Sequence, residues 1–179
     1  GSAVDAVDVD YNTAVSEPTA PTKAGHTFRG WELDAVDYNF STPVQKNITL
    51  VAEWAKNPTV SFDAKNGSPV REEEIGYETA VSEPTIPEKT GHTFTGWTLE
   101  GNAYNFSTNV LTDITLVATW TADPRTVTFN SNGGSAVDAV DVDYNTAVSE
   151  PTAPTKAGHT FRGWELDAVD YNFSTPVQK

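Results

Sequence analysis

Apolar and polar residues alternate over short runs along the whole chain and never keep a helical spacing for long. In Asn47–Trp54, Ile48, Leu50, Ala52 and Trp54 fall on one side of an extended segment and Thr49, Val51 and Glu53 on the other. Val127-Thr128-Phe129-Asn130 alternates in the same way and runs into Asn132-Gly133, a hairpin-turn signal. Val140, Val142 and Tyr144 follow at period two, as a return strand should. His26–Leu33 reads as a strand with a glycine where a neighbour can approach closely. Ser149–His159, rich in Pro and Gly, reads as an ordered crossing loop, because proline restricts the backbone before folding. Within Tyr38–Asn47, Thr42 is placed to cap a short helical turn that Pro43 opens. No segment supplies the roughly 10–12 residues of amphipathic pattern that a full helix needs. The pattern predicts a β-rich α+β module with at most one short helix.

These segments recur. Gly25–Trp31 (GHTFRGW) returns at Gly91–Trp97 and again at Gly158–Trp164, so that His26, His92 and His159 lie 66 and 67 residues apart. Tyr11–Lys23 returns as Tyr77–Lys89, and Asn47–Trp54 as Asp113–Trp120. Residues 1–46 are identical to residues 134–179, so the translational unit is a pair of unlike repeats, A and B. The expected organisation is a partial A repeat at 1–57 without its first strand, a complete B repeat at 58–124, and a partial A repeat at 125–179 without its last strand. On this reading the array continues at both ends. The connectors at 55–59 and 121–126 are short and each carries a proline, Pro58 and Pro124, which predicts stiff coupling between neighbours.

Composition narrows the function classes. A net charge of −14 opposes nucleic-acid binding, which needs a basic face to meet phosphates. The absence of cysteine excludes disulfides and thiolate metal sites. No apolar stretch reaches the roughly 18 residues that span a bilayer. Gly1–Asp5 does not have the character of a signal peptide, so any export signal is expected elsewhere in the parent protein. Five Trp, six Tyr and eight Phe are too many aromatics for a disordered tail.

The V-x-F-x-x-x-x-G opener at Val127–Gly134, the P-x-x-P-x-K-x-G loop at Pro151–Gly158, the G-H-x-F-x-G-W strand and the final I-T-L-x-A-x-W together resemble the Listeria–Bacteroides repeat, the internalin B-type B-repeat. The resemblance covers essentially the whole chain. It departs at His26, His92 and His159, where the family usually carries tyrosine. It implies small β-grasp (ubiquitin-like) modules of about 66 residues, in tandem in bacterial cell-surface proteins, many of them adhesins, with no shared catalytic or ligand-binding residues.

Each candidate chemistry meets a plainer reading. One histidine per repeat, with no partner at ligand spacing, reads as a structural strand residue. Asp5, Asp8 and Asp10, replaced in B by Arg71-Glu72-Glu73-Glu74, read as a solvated charged face, with weak calcium binding as the alternative. Trp31, Trp97, Trp164, Trp54 and Trp120 read as core rather than as a sugar-binding platform. The acceptor-like triplets at Asn39, Asn47, Asn66, Asn105 and Asn172 read as chance matches. No catalytic, cofactor-binding or metal residue is therefore expected, and no cofactor. The expected function is an extracellular, non-enzymatic stalk whose tandem repeats project an adhesive domain from the bacterial surface. The alternatives are a weak multivalent adhesin for a host protein or glycan, or chain-to-chain pairing through exposed strand edges. The expected partners are neighbouring repeats, without nucleic acid or membrane insertion in this segment.

Overall fold

The computed structural model describes residues 1–178. In chain order, the first copy supplies β1 (Thr13–Ala14), β2 (His26–Leu33), β3 (Val36–Asp37), β4 (Pro43–Val44) and β5 (Val51–Lys56). The middle copy supplies β6 (Thr59–Asp63), β7 (Arg71–Glu74), β8 (Thr79–Ala80), β9 (His92–Leu99), β10 (Asn102–Ala103), β11 (Asn109–Val110) and β12 (Ile114–Ala122). The last copy supplies β13 (Pro124–Val127), β14 (Val140–Asp143), β15 (Thr146–Ala147), β16 (Glu165–Leu166), β17 (Val169–Asp170) and β18 (Pro176–Val177). The β-rich expectation holds, and there is no helix among the described residues.

The short helical turn expected at Thr42-Pro43 is corrected. Asn39 closes a turn instead: its side-chain oxygen accepts from Ser41 N–H at 2.9 Å and its carbonyl from Thr42 N–H at 2.9 Å. Pro43 then opens β4, which pairs antiparallel with β1, and a first strand residue tolerates the missing N–H. A second correction concerns the opener. Val127 pairs with Val140, so β13 ends where the expected strand was to begin, and residues 128–139 form a loop. Asn132-Gly133 does turn, with φ of 47° and 81°, but inside that loop rather than between the strands.

By contacts the chain divides into two compact units, residues 1–85 with 97–117, and residues 86–96 with the chain from 118 onward. The division runs across β9 and β12 rather than along the sequence repeats. The first unit holds the three-stranded sheet β3-β2-β5 and most of a five-stranded sheet ordered β10-β9-β12-β6-β7, all five strands of which come from the middle copy. β12 runs parallel to β6, pairing Ile114 with Val60 and Leu116 with Phe62. A parallel pair needs both faces covered, and the inward residues of these strands are the driest in the unit: Val60 and Leu116 are 0% exposed. Phe62, Val81, Trp97 and Val110 complete that core. The second unit holds the hairpin β13-β14 and the pairs β15-β18 and β16-β17, with Val148 buried at 1% exposure.

Candidate functional site

The residues singled out in the sequence do not gather. Each histidine turns back on its own loop: Nδ1 lies 2.9 Å from the carbonyl oxygen two residues earlier, Ala24 for His26, Thr90 for His92 and Ala157 for His159. At His26 and His92 this fixes the ring where the strand begins, whereas His159, expected as a strand residue, lies outside any strand. The tryptophans pack in edge-on contact with phenylalanines. Phe28 lies 5.5 Å from both Trp31 and Trp54, and Phe62 lies 5.3 Å from Trp97. Lys23 stands 5.7 Å over Trp54 and Lys89 5.7 Å over Trp120, so the loop lysine covers the closing-strand ring in both copies.

The acidic run takes two forms. Asp141 and Asp143 sit two apart on β14, as expected of neighbours on one strand face, and Asp141 accepts from Thr126 Oγ1 at 2.6 Å. Their counterparts Asp8 and Asp10 lie outside any strand. A different acidic trio is closer together: Glu32, Asp37 and Glu53 each bring a carboxylate oxygen within 4.8 Å of the other two. The middle copy has Thr98, Ala103 and Thr119 at these positions, so this grouping belongs to the A sequence alone. The acceptor-like triplets have a local explanation. Asn39, Asn66, Asn105 and Asn172 each accept a hydrogen bond from the serine N–H two residues on, at 2.9–3.0 Å, which is an Asx turn.

The best-built geometry lies where one copy passes into the next. Two residues, Asn57 and Pro58, separate β5 from β6, and Asp123 alone separates β12 from β13. At the first joint Asn57 N–H donates to Gly25 O at 2.9 Å, and Thr27 Oγ1 donates to Asn57 Oδ1 at 2.7 Å. Asn57 Nδ2 donates to Glu74 Oε1 at 3.0 Å, and Tyr77 N–H donates to Thr27 Oγ1 at 2.8 Å. The Asn57 amide accepts from the threonine through its oxygen and donates to the glutamate through its nitrogen, a double role that an ionised aspartate could not fill. Arg29 pairs with Glu78 and lies 5.2 Å over the Tyr77 ring. The hydrogen bond and charge of Glu78 raise the already high guanidinium pKa.

The second joint repeats the plan with other residues. Asp123 N–H donates to Gly91 O at 2.9 Å, and Asp123 Oδ1 accepts from Thr93 Oγ1 at 2.7 Å. Tyr144 N–H donates to Asp123 O at 2.8 Å. Tyr144 lies flat on Gly91, where a Cβ would stand 2.1 Å from its Cγ, and meets His92 edge-on at 5.8 Å. Arg125 lies 5.4 Å over the same ring. Each joint tyrosine thus carries an arginine, from strand β2 in one case and from β13 in the other. Sequence reasoning took the connectors as short, proline-bearing and stiff, without naming the residues that tie them. The signal it passed over was the unlike charge at matched positions, Arg29 against Thr95 and Glu78 against Asn145.

Small strand-built copies, tied end to end through hydrogen-bonded connectors, define a tandem β-repeat protein. The chain belongs to the Listeria-Bacteroides repeat domain family, whose model matches residues 1–53, 59–119 and 126–179. It is 43% identical over 178 residues to a "Putative Gly-rich membrane protein" of Evansella cellulosilytica, covering 94% of this chain and 21% of that protein. It is 33% identical over 167 residues to Internalin H of Listeria monocytogenes, covering 81% of this chain and 29% of that protein. The chain therefore spans less than a third of the length of either relative. No solved structure matches it.

Proposed function

We propose that the chain is a non-enzymatic spacer segment of a bacterial surface protein, built from repeats at 1–57, 58–124 and 125–179. The observation that carries this reading is the pair of joints. A connector of one or two residues whose backbone and side chain are both hydrogen-bonded leaves no slack for free swivelling. The acidic balance supports the same role, since like-charged chains stay apart at high surface density. Surface placement is supported by the family and by the likeness to an internalin and to a protein described as a membrane protein. The strand order β10-β9-β12-β6-β7, with a central parallel pair between two hairpins, supports a β-grasp arrangement in which residues 81–90 cross without a helix.

The test is replacement. In a surface protein carrying this array, shortening it should reduce access of the distal domain to its ligand, and an unrelated stiff spacer of equal length should restore it. Restoration by length alone is the expected result. If only these repeats restore binding, the repeats are themselves adhesive and the spacer reading fails.

A further inference from the structure

The two joints use one plan but different side chains, and the differences are matched across each joint. In the A sequence the strand position four residues after the glycine is arginine (Arg29, Arg162), and in B it is Thr95. The residue after the joint tyrosine is Glu78 in B and asparagine in A (Asn12, Asn145). Where A precedes B, Arg29 therefore meets Glu78 and also covers Tyr77. Where B precedes A, Thr95 turns away to its own sheet, donating to Thr119 Oγ1 at 2.8 Å.

We propose that the end of an A repeat is a recognition surface for the leading face of a B repeat, with Arg29 and Glu78 as the residues that set the order. The partner it fits is a strand-built module presenting a tyrosine followed by a carboxylate. An A-to-A joint would set Arg29 against asparagine and forfeit the ion pair. A B-to-B joint would leave Glu78 facing Thr95 without a cation. Neither mismatch forbids contact. Each weakens it relative to the alternating order, and specificity is such a difference between pairings. The connector agrees with the same code. Asn57 donates to Glu74, which an aspartate like Asp123 would repel. This assignment holds whatever the array spaces.

Amide exchange in the full chain tests it, because Tyr77 N–H is bonded across the first joint to Thr27 and Tyr144 N–H is bonded at the second to Asp123. Arg29→Thr and Glu78→Asn should each speed exchange at Tyr77 roughly two- to fivefold, the size expected of a partly exposed ion pair. Tyr144 and the buried core residue Leu116 should be unaffected. The reversed pair, Arg29→Glu with Glu78→Arg, should restore slow exchange at Tyr77. Unchanged exchange at Tyr77 in the single variants, or no recovery in the reversed pair, overturns the proposal. So does an equal acceleration at Leu116, which would assign the effect to the fold.

Discussion

Residues 1–45 and 134–178 are one sequence in two settings, and they do not adopt one structure. In the first setting residues 47–56 follow, and His26–Leu33 forms an eight-residue strand paired with β5, from Glu32 with Val51 to His26 with Lys56. In the second setting only Glu165–Leu166 of that strand remains, held by its hairpin partner β17. The reverse holds at the other end. Preceded by β13, Val140–Asp143 forms a strand, whereas Val7–Asp10 does not. Burial follows the partner as well. Val148 is buried while Val15 is half-buried, and Trp31 is buried while Trp164 is half-buried. Local propensity is the same by construction, so the partner strand decides which segment becomes regular.

The largest expected effect tests this directly. Trp97→Ala, in the copy with both partner strands, should cost about 3–5 kcal/mol in urea unfolding. Trp164→Ala should cost less than half as much. Equal costs would mean that pairing does not govern burial at this position. Next, appending residues 47–56 after residue 179 should extend the strand back to His159 and add about 2–3 kcal/mol. Slowed amide exchange over residues 159–164 is the measurement, and an unchanged pattern would break the comparison. The last copy already shows where the added ring would go. A depression of about 260 Å3 is lined by Gly134, Lys156 and Phe161. Their counterparts Gly1, Lys23 and Phe28 surround Trp54 in the first copy.

The joints allow a finer comparison. Gly91→Ala should destabilise by about 2–3 kcal/mol, since the methyl group meets the Tyr144 ring and the residue holds a left-handed φ of 67°. Gly25→Ala should cost only about 1 kcal/mol, because its nearest neighbour is a flexible Glu74 oxygen 3.8 Å away. Thermal unfolding of the two variants should rank them in that order.

The smallest effect is one of pH. Asp63 takes hydrogen bonds from the Lys65 side chain and backbone, which lower its pKa in the folded chain. Its contribution is therefore present above its unfolded pKa of about 3.9 and is lost as pH falls through the lower folded value. At the matching position of the last copy Asn130 makes the same turn, accepting from Asn132 N–H at 2.9 Å, and does not titrate. Amide exchange at Lys65 should accelerate below about pH 4 relative to Asn132. Parallel behaviour would remove the role given to the carboxylate.

Much of the fold was legible because it is written in local alternation. The facing of Leu116 and Ala118 against Thr115 and Thr119 follows from period two, while His26–Leu33 was read as a strand despite the register shift between Phe28 and Gly30 that breaks its alternation. The helical turn misread at Thr42-Pro43 shows the limit. A threonine followed by proline fits a helix start and a strand start alike, and Asn39's capture of Ser41 N–H settles it from three residues away. The joints were illegible for a different reason. Thr27 and Tyr77 are fifty residues apart, and nothing in either segment announces the other. Only the unlike charges at otherwise repeated positions pointed there.

The parallel run of β6 and β12 carries a mechanical consequence. If the chain serves as the proposed spacer, tension along it would enter the middle copy near Thr59 and leave it near Ala122, at opposite ends of two strands lying side by side. Hydrogen bonds between parallel strands are evenly spaced, so such a pull drags on them all together instead of peeling them apart one by one. A spacer made of such units would yield all at once rather than strand by strand.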